Sequence, residues 1–426
     1  MSQTNTNRVS GYHWPLFIIC FLATVFAGTV STLMPVYLPV AVRDLLGNKN
    51  EDELNRISAY INSIFLFGGA LGGFVCGVIS DRIGRKKAII IAIVSYGLFT
   101  VFTAHMYNWW GVVICRFLSG FGLGGILVTT TTLMMEEWPS KTRSIFIGIL
   151  SIAIPVGIFS AGLIDYFVSS WRQAFSVGYI PLLLALAARM FLRESDQWNR
   201  HRQRVRLQVH QRENIFQGNY TRSLWMGSVI FGSMLIGLWA IFLWLPTWIQ
   251  TLITEGDGQA ERGISMMMLG MGGLTGGFLS GWLMNAVGIR RALILCFAVC
   301  SVVAFILFRT NSGFSYMIYA EIAVIALFFG ASQGVLSVYI PNLFPVNIRG
   351  TATGFCFNTG RIVTATAVLF VGLLVASLGG YGNALFIFSS VFLVGLIVTV
   401  LGSKHIRNTS EKSINSQEKS IEHATH

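Results

Sequence analysis

The chain has 426 residues, of which 54% are hydrophobic and 11% charged, and its mean hydropathy is +0.65. Charged residues make up about a quarter of an ordinary soluble domain, so the composition excludes one and points to a polytopic membrane protein. The 30 Lys and Arg outnumber the 18 Asp and Glu, but they gather in short segments between apolar spans, as the positive-inside rule requires, and nucleic-acid binding is excluded.

Residues 1–13 are polar, and the apolar run after them is too long for a cleaved signal peptide. Taking runs of 18 or more mostly apolar residues as spans predicts helices over Trp14–Val42, Ser58–Ser80, Ala88–His105, Trp109–Met135, Ser144–Phe167 and Ala174–Leu192. Six more follow over Leu224–Gln250, Gly263–Val287, Ala292–Phe308, Phe314–Ile340, Gly350–Leu378 and Tyr381–Gly402. Both termini then fall on one side. The segments on that side carry Arg82, Arg85, Lys86, Lys87, Lys141, Arg143, Arg290, Arg291, Arg349, Lys404 and Arg407, which assigns it to the cytoplasm of a cell membrane.

The expected organisation is a cytoplasmic N-terminus (1–13), a six-helix bundle (14–192), a basic cytoplasmic linker (193–223), a second six-helix bundle (224–402) and a disordered cytoplasmic tail (403–426). The linker carries Arg193, Arg200, Arg202, Arg204, Arg206, Arg212 and Arg222. It reads either as a solvated tether or as a basic amphipathic helix on anionic lipid. Cys20, Cys76, Cys115, Cys296, Cys300 and Cys356 all lie inside apolar spans, where cysteine packs. Cys296 and Cys300 share a helix face without His or acidic neighbours, so neither metal nor cofactor is expected. No nucleotide loop and no nucleophile with a positioned base is present, which argues against an enzyme.

The chain is internally duplicated. Trp138-Pro139, Arg143 and Gly148 recur 206 positions later as Phe344-Pro345, Arg349 and Gly354. Gly68, Gly69, Gly72, Gly73 and Gly77, and again Gly272, Gly273, Gly276, Gly277 and Gly281, set small residues at four-residue spacing, which lets helices approach closely.

Between the second and third spans the chain reads Gly77-Val-Ile-Ser-Asp81-Arg82-Ile-Gly84-Arg85-Lys86-Lys87, an acid at a helix end followed by glycine and cations. The second copy, Gly281 to Arg291, has Asn285 in place of Asp81. The first copy resembles the cytoplasmic loop signature of the major facilitator superfamily. Arg116 to Gly124, with Glu136 and Arg143 beyond, is similar to its sugar-porter branch. The resemblance implies an all-α membrane protein of twelve helices in two pseudo-symmetric six-helix bundles, working as a monomer. It implies a secondary transporter with substrate near the midplane and alternating access around it. It further implies a cytoplasmic gate of Asp81, Arg85, Glu136 and Arg143 that latches the outward-open state; the plainer reading is loop charges that serve topology alone.

Arg361 is a lone cation in an apolar span. Counted from Gly350 at about 1.5 Å per residue it lies roughly 16 Å inward, where ionisable groups are costly and usually functional. Asn358 and Thr364 lie three residues to either side. The placement resembles the organic-anion carriers of the superfamily and implies a carboxylate substrate, since a guanidinium binds a carboxylate with two hydrogen bonds. The competing reading is an arginine paired permanently with protein groups. Trp239 is either a further substrate contact or a packing residue. For proton coupling the candidates are Glu321, then Asp165, with Arg116; each could equally be structural. The first span contains no acid, so the proton site of the sugar branch is not carried over. The expected activity is proton-coupled uptake of a small organic anion. A carrier of a neutral sugar is the first alternative and a non-transporting receptor the second.

Overall fold

A computed structural model of the protein describes residues 11–47, 50–195, 198, 220–344 and 348–402, the side chains of residues 144 and 349–351 excepted. Residues 1–10, most of the 193–223 linker, the tail from residue 403 and the Arg349 side chain lie outside the described residues.

Among the described residues twelve helices are long and apolar enough to cross a membrane. In chain order they are α1 His13–Leu46, α2 Glu51–Ile83, α3 Arg85–Ala104, α4 Trp109–Glu137, α5 Ile145–Phe167, α6 Trp171–Phe191, α7 Tyr220–Leu252, α8 Gln259–Val287, α9 Ile289–Arg309, α10 Met317–Leu343, α11 Ala352–Leu374 and α12 Tyr381–Leu401. Most begin earlier than an apolar-run count places them, because their first turns are polar. In α2, for example, Glu51, Asp52 and Glu53 fill the first turn behind an Asn50 cap whose side chain accepts from Glu53 N at 3.0 Å. Helix α5 is interrupted at Ile152, just before Pro155, whose missing N–H suits the first turn of the resumed segment Ala153–Phe167.

The helices form two six-helix bundles. Within the first, α2 and α4 approach backbone to backbone: a Cβ added at Gly124 would stand 1.9 Å from Gly69 O, and one at Gly120 2.1 Å from Phe65 O. In the second, α8 and α10 repeat the pairing, Gly276 against Leu327 O at 1.7 Å and Gly330 against Gly273 O at 2.1 Å. Any side chain at these positions would drive the helices apart. The short α2–α3 and α8–α9 turns mark one end of the molecule, here called the basic end. Each turns on a glycine in the left-handed region, Gly84 at φ 111° and Gly288 at φ 85°, which side-chain-bearing residues rarely adopt.

Helices α5 and α8 form one seam between the bundles, and α2 and α11 form the other. At the end opposite the basic one, α5 and α8 touch. A Cβ on Gly162 would meet Gly263 O at 2.5 Å, and one on Gly270 would meet Phe159 N at 2.6 Å. Farther along, the gap widens to 3.6 Å between Gly273 and Pro155 and 3.5 Å between Gly277 and Ile152; Gly281 and Gly148 meet nothing within 4 Å. The other seam behaves alike, from Gly372 against Ala59 at 2.7 Å to Gly354 with nothing within 4 Å. The bundles therefore diverge toward the basic end and close at the opposite one.

Candidate functional site

Arg361 lies where the α2–α11 seam opens. Its Nη1 is 3.5 Å from where a Cβ of Gly73 would stand, so the glycine makes room for the guanidinium against α2. The side chain is half-buried and, among the described residues, makes no hydrogen bond or ion pair. On a helix of about 100° per residue, the neighbours of α11 fix its orientation. Gly360 faces Phe231 and Gly232 of α7, and Cys356 faces Leu224 and Gly227 of the same helix; Arg361 faces α2. The arc between these two directions looks along the gap between the bundles, and Phe357 falls in it, about 40° from Arg361. Phe357 is half-buried and stacks on Phe231, ring centroids 4.4 Å apart at 27°.

The other residues singled out in the sequence are dispersed. Asn358 is half-buried, about 60° beyond Arg361 and away from α7. Thr364 is buried, its hydroxyl donating to Gly360 O at 2.8 Å. Trp239 packs edge-on against Phe242 at 5.1 Å. Glu321, four residues into α10, accepts from Asn311 Nδ2 at 2.7 Å within the second bundle. Arg116 is 1% exposed; its Nη1 donates to Val30 O of α1 at 3.2 Å, its guanidinium lies 4.0 Å over the Phe65 ring, and its Nε and Nη2 have no partner.

At the basic end Asp81, Arg85 and Glu136 are joined. Arg85 Nη2 donates to Glu136 at 2.8 Å and its Nε to the same carboxylate at 3.0 and 3.1 Å, while Nη1 reaches Asp81 Oδ1 and Ser80 O, both at 2.9 Å. Arg143 stands apart, its Nε donating to Trp138 O at 3.0 Å. Glu194, which the sequence did not single out, sits over Gly84 and accepts from the backbone N–H of Arg85 at 2.5 Å and Lys86 at 3.2 Å. It thereby caps α3 with an acid where the helix dipole is positive.

The opposite end holds a buried pair between the bundles. Asp165 of α5 is fully buried with neither carboxylate oxygen hydrogen-bonded, and Arg262 of α8, 2% exposed, has Nη2 3.9 Å away. Arg262 Nη1 donates to Gln250 Oε1 and, at 2.9 Å, to Asp257 O. Gln259 Nε2 donates to the Asp165 backbone carbonyl at 2.5 Å. Also between the bundles, Tyr381 of α12 donates to Asn55 of α2, and Asn62 Nδ2 of α2 to Leu243 O of α7 at 3.3 Å.

The family model described as Major Facilitator Superfamily matches residues 16–367. The chain belongs to that superfamily. It is 28% identical over 330 residues to the probable 4-methylmuconolactone transporter of Cupriavidus pinatubonensis, 75% of each chain. With the cis,cis-muconate transport protein of Acinetobacter baylyi it shares 24% over 429 residues, 97% of this chain and 100% of the relative. With the gentisate transporter of Corynebacterium glutamicum it shares 26% over 357 residues, 80% and 78% of the two. Among solved structures, a D-xylose–proton symporter superposes with a TM-score of 0.74 at 16% identity, covering 93% of this chain and 97% of its own. An inward-open xylose transporter of E. coli gives 0.75 at 16%, covering 91% and 95%. At that identity the likeness is one of fold. As a member of the superfamily the chain is a multi-pass membrane transporter of a small molecule and not an enzyme.

Within the superfamily plan the residues that sequence reasoning missed are Phe357, Arg262 and Glu194. The signal for Arg262 was a cation one residue from a predicted span start, and it acquires a meaning only once α8 is known to lie against α5.

Proposed function

We propose that this transporter takes up small carboxylic acids with a conjugated or aromatic body, together with protons, by alternating access. The observation that carries the reading is Arg361, an unpaired guanidinium at the open seam between the bundles. Two parallel N–H groups match a carboxylate, and such a bidentate charge-assisted pair is among the stronger hydrogen-bonded contacts a protein makes. The relatives named for muconate and gentisate transport support the acid class. Arg361 is the substrate anchor in this proposal, with Trp239 as a secondary aromatic contact and Thr364 as a support of the helix behind it; Asn358, turned away from the gap, is not a contact in this scheme. The basic end is placed in the cytoplasm of a cell membrane, so that the structure is inward-facing, with functional units at 14–192 and 224–402 joined by the 193–223 linker. Asp81, Arg85 and Glu136 form the cytoplasmic gate of this scheme. Proton coupling is assigned to Asp165, which stands at a seam that must part, ahead of Glu321, which is held by Asn311 inside one bundle.

Uptake into proteoliposomes tests the proposal. Labelled benzoate, gentisate, cis,cis-muconate and xylose are compared with and without an inward proton gradient. The expected result is gradient-driven accumulation of one or more acids and none of the sugar. Xylose accumulation without acid uptake would replace the reading by a sugar carrier. Asp165→Asn is expected to abolish gradient-driven accumulation while preserving exchange of internal for external acid; retained accumulation there, with loss in Glu321→Gln, would move the coupling site to α10.

A further inference from the structure

We infer that Phe357, backed by Phe231, is a specificity-determining residue that favours planar, conjugated acids over saturated acids of the same charge and size. The inference rests on the proposed carboxylate site at Arg361 and adds a second recognition element to it. Helix α11 runs from the basic end inward, so Phe357 lies one turn, about 6 Å, nearer the open mouth than Arg361. Phe357 falls in the arc of α11 between its α7-facing and α2-facing sides, where the gap between the bundles is, and Arg361 stands at the α2-facing edge of that arc. An acid whose carboxylate meets Arg361 therefore lays its body along the Phe357 ring.

That ring is held in place. Phe231 is 6% exposed and stacks behind it at 4.4 Å. Phe231 is itself fixed by Gly360, where a Cβ would stand 2.6 Å from its ring, and Gly232 lies 3.6 Å from Gly360 by the same measure. Two glycines thus bring α7 and α11 close enough for the rings to overlap. Phe231 covers one face of Phe357, which is only partly buried, and in this inference the uncovered part of the ring is left for a ligand. A flat π-system gains from stacking on such a surface in an offset or edge geometry, whereas a puckered ring or a flexible chain gains only area. The expected discrimination is roughly 2- to 12-fold in apparent affinity.

The test uses matched pairs of acids: benzoate against cyclohexanecarboxylate, and cis,cis-muconate against adipate. The ratio of KM values within each pair is measured for the full-length carrier in proteoliposomes. Wild type is expected to favour the planar member, and Phe357→Tyr to keep the preference. Phe357→Leu is expected to bring the ratio close to one through a higher KM for the planar acid, with the saturated acid changed less than about twofold. Should Phe357→Leu fail to reach the membrane, Phe231→Leu, which removes only the backing ring, is expected to lower the ratio partway. A wild-type ratio near one, or a ratio unmoved by both leucine variants, overturns the role of Phe357 while leaving the carboxylate reading intact. Transport of none of the four acids by wild type overturns the carboxylate reading and this inference with it.

Discussion

At the scale of single residues the protein is defined by how it treats its interior charges. Arg85 is matched on both sides, Arg262 is held by neutral acceptors beside an acid, Arg116 has one carbonyl and a ring, and Arg361 is left open. Replacing Arg361 with Lys keeps the charge and loses the fork, so KM for the acids should rise roughly tenfold or more, and Arg361→Gln should abolish uptake at the same surface expression. The two acids on Arg85 should differ. Glu136 is 16% exposed at its side chain and Asp81 75%. Glu136→Gln should therefore cost stability on the scale of a broken buried pair, about 3–5 kcal/mol, and Asp81→Asn under about 1 kcal/mol, read as thermal unfolding in detergent. A larger loss from Asp81 would mean that its importance lies in another state of the cycle. Arg361 was legible in the sequence because a cation inside an apolar span is expensive and rare. Phe357 was not, since 32 phenylalanines fill a chain of this kind and only the packing of α7 on α11 distinguishes one from the rest.

At the scale of helices the controlling contacts are the two seams. Gly162→Val would force α5 off Gly263 and Met267 N, where even a Cβ would stand 2.5 and 2.8 Å away. The expected outcome is a population shifted toward opening at that end, seen as a longer distance between spin labels on Phe167 and Glu255, both near the closed end. Arg262→Gln should act in the same direction, because it leaves a buried carboxylate with no cation beside it. Unchanged distances in both variants would mean that the second seam alone holds the closed end. The helices themselves were readable to within a few residues from apolar run length. Their polar first turns were not, because Glu51 to Glu53 look like loop until the Asn50 cap is seen, and the break at Ile152 shows in sequence only as Pro155.

At the scale of the whole molecule the duplication seen at Trp138-Pro139 and Phe344-Pro345 corresponds to two bundles built on the same glycine-paired helices. What the duplication could not convey is which helices of one copy meet which of the other. That pairing, α5 with α8 and α2 with α11, brings Asp165 to Arg262 and Arg361 to Gly73, and it depends on contacts between residues far apart in the chain. The pairing also divides labour: one seam carries the buried ion pair and the other the proposed anchor. Charge changes at Arg262 should accordingly alter the rate of the cycle at constant KM, and changes at Arg361 should alter KM, a separation that steady-state exchange kinetics would show.

A Cβ added at Gly148, Gly281 or Gly354 would meet nothing within 4 Å, so no close packing requires glycine at these points in the shape observed. In the alternating-access cycle proposed above, the basic end would shut and these bare backbones would become the meeting surface. Gly281→Leu should leave this conformer undisturbed, with normal folding and substrate binding from the basic side, and yet stall turnover. A carrier that still cycled at full speed with that leucine would have to shut by some motion other than rocking the bundles together along α5 and α8.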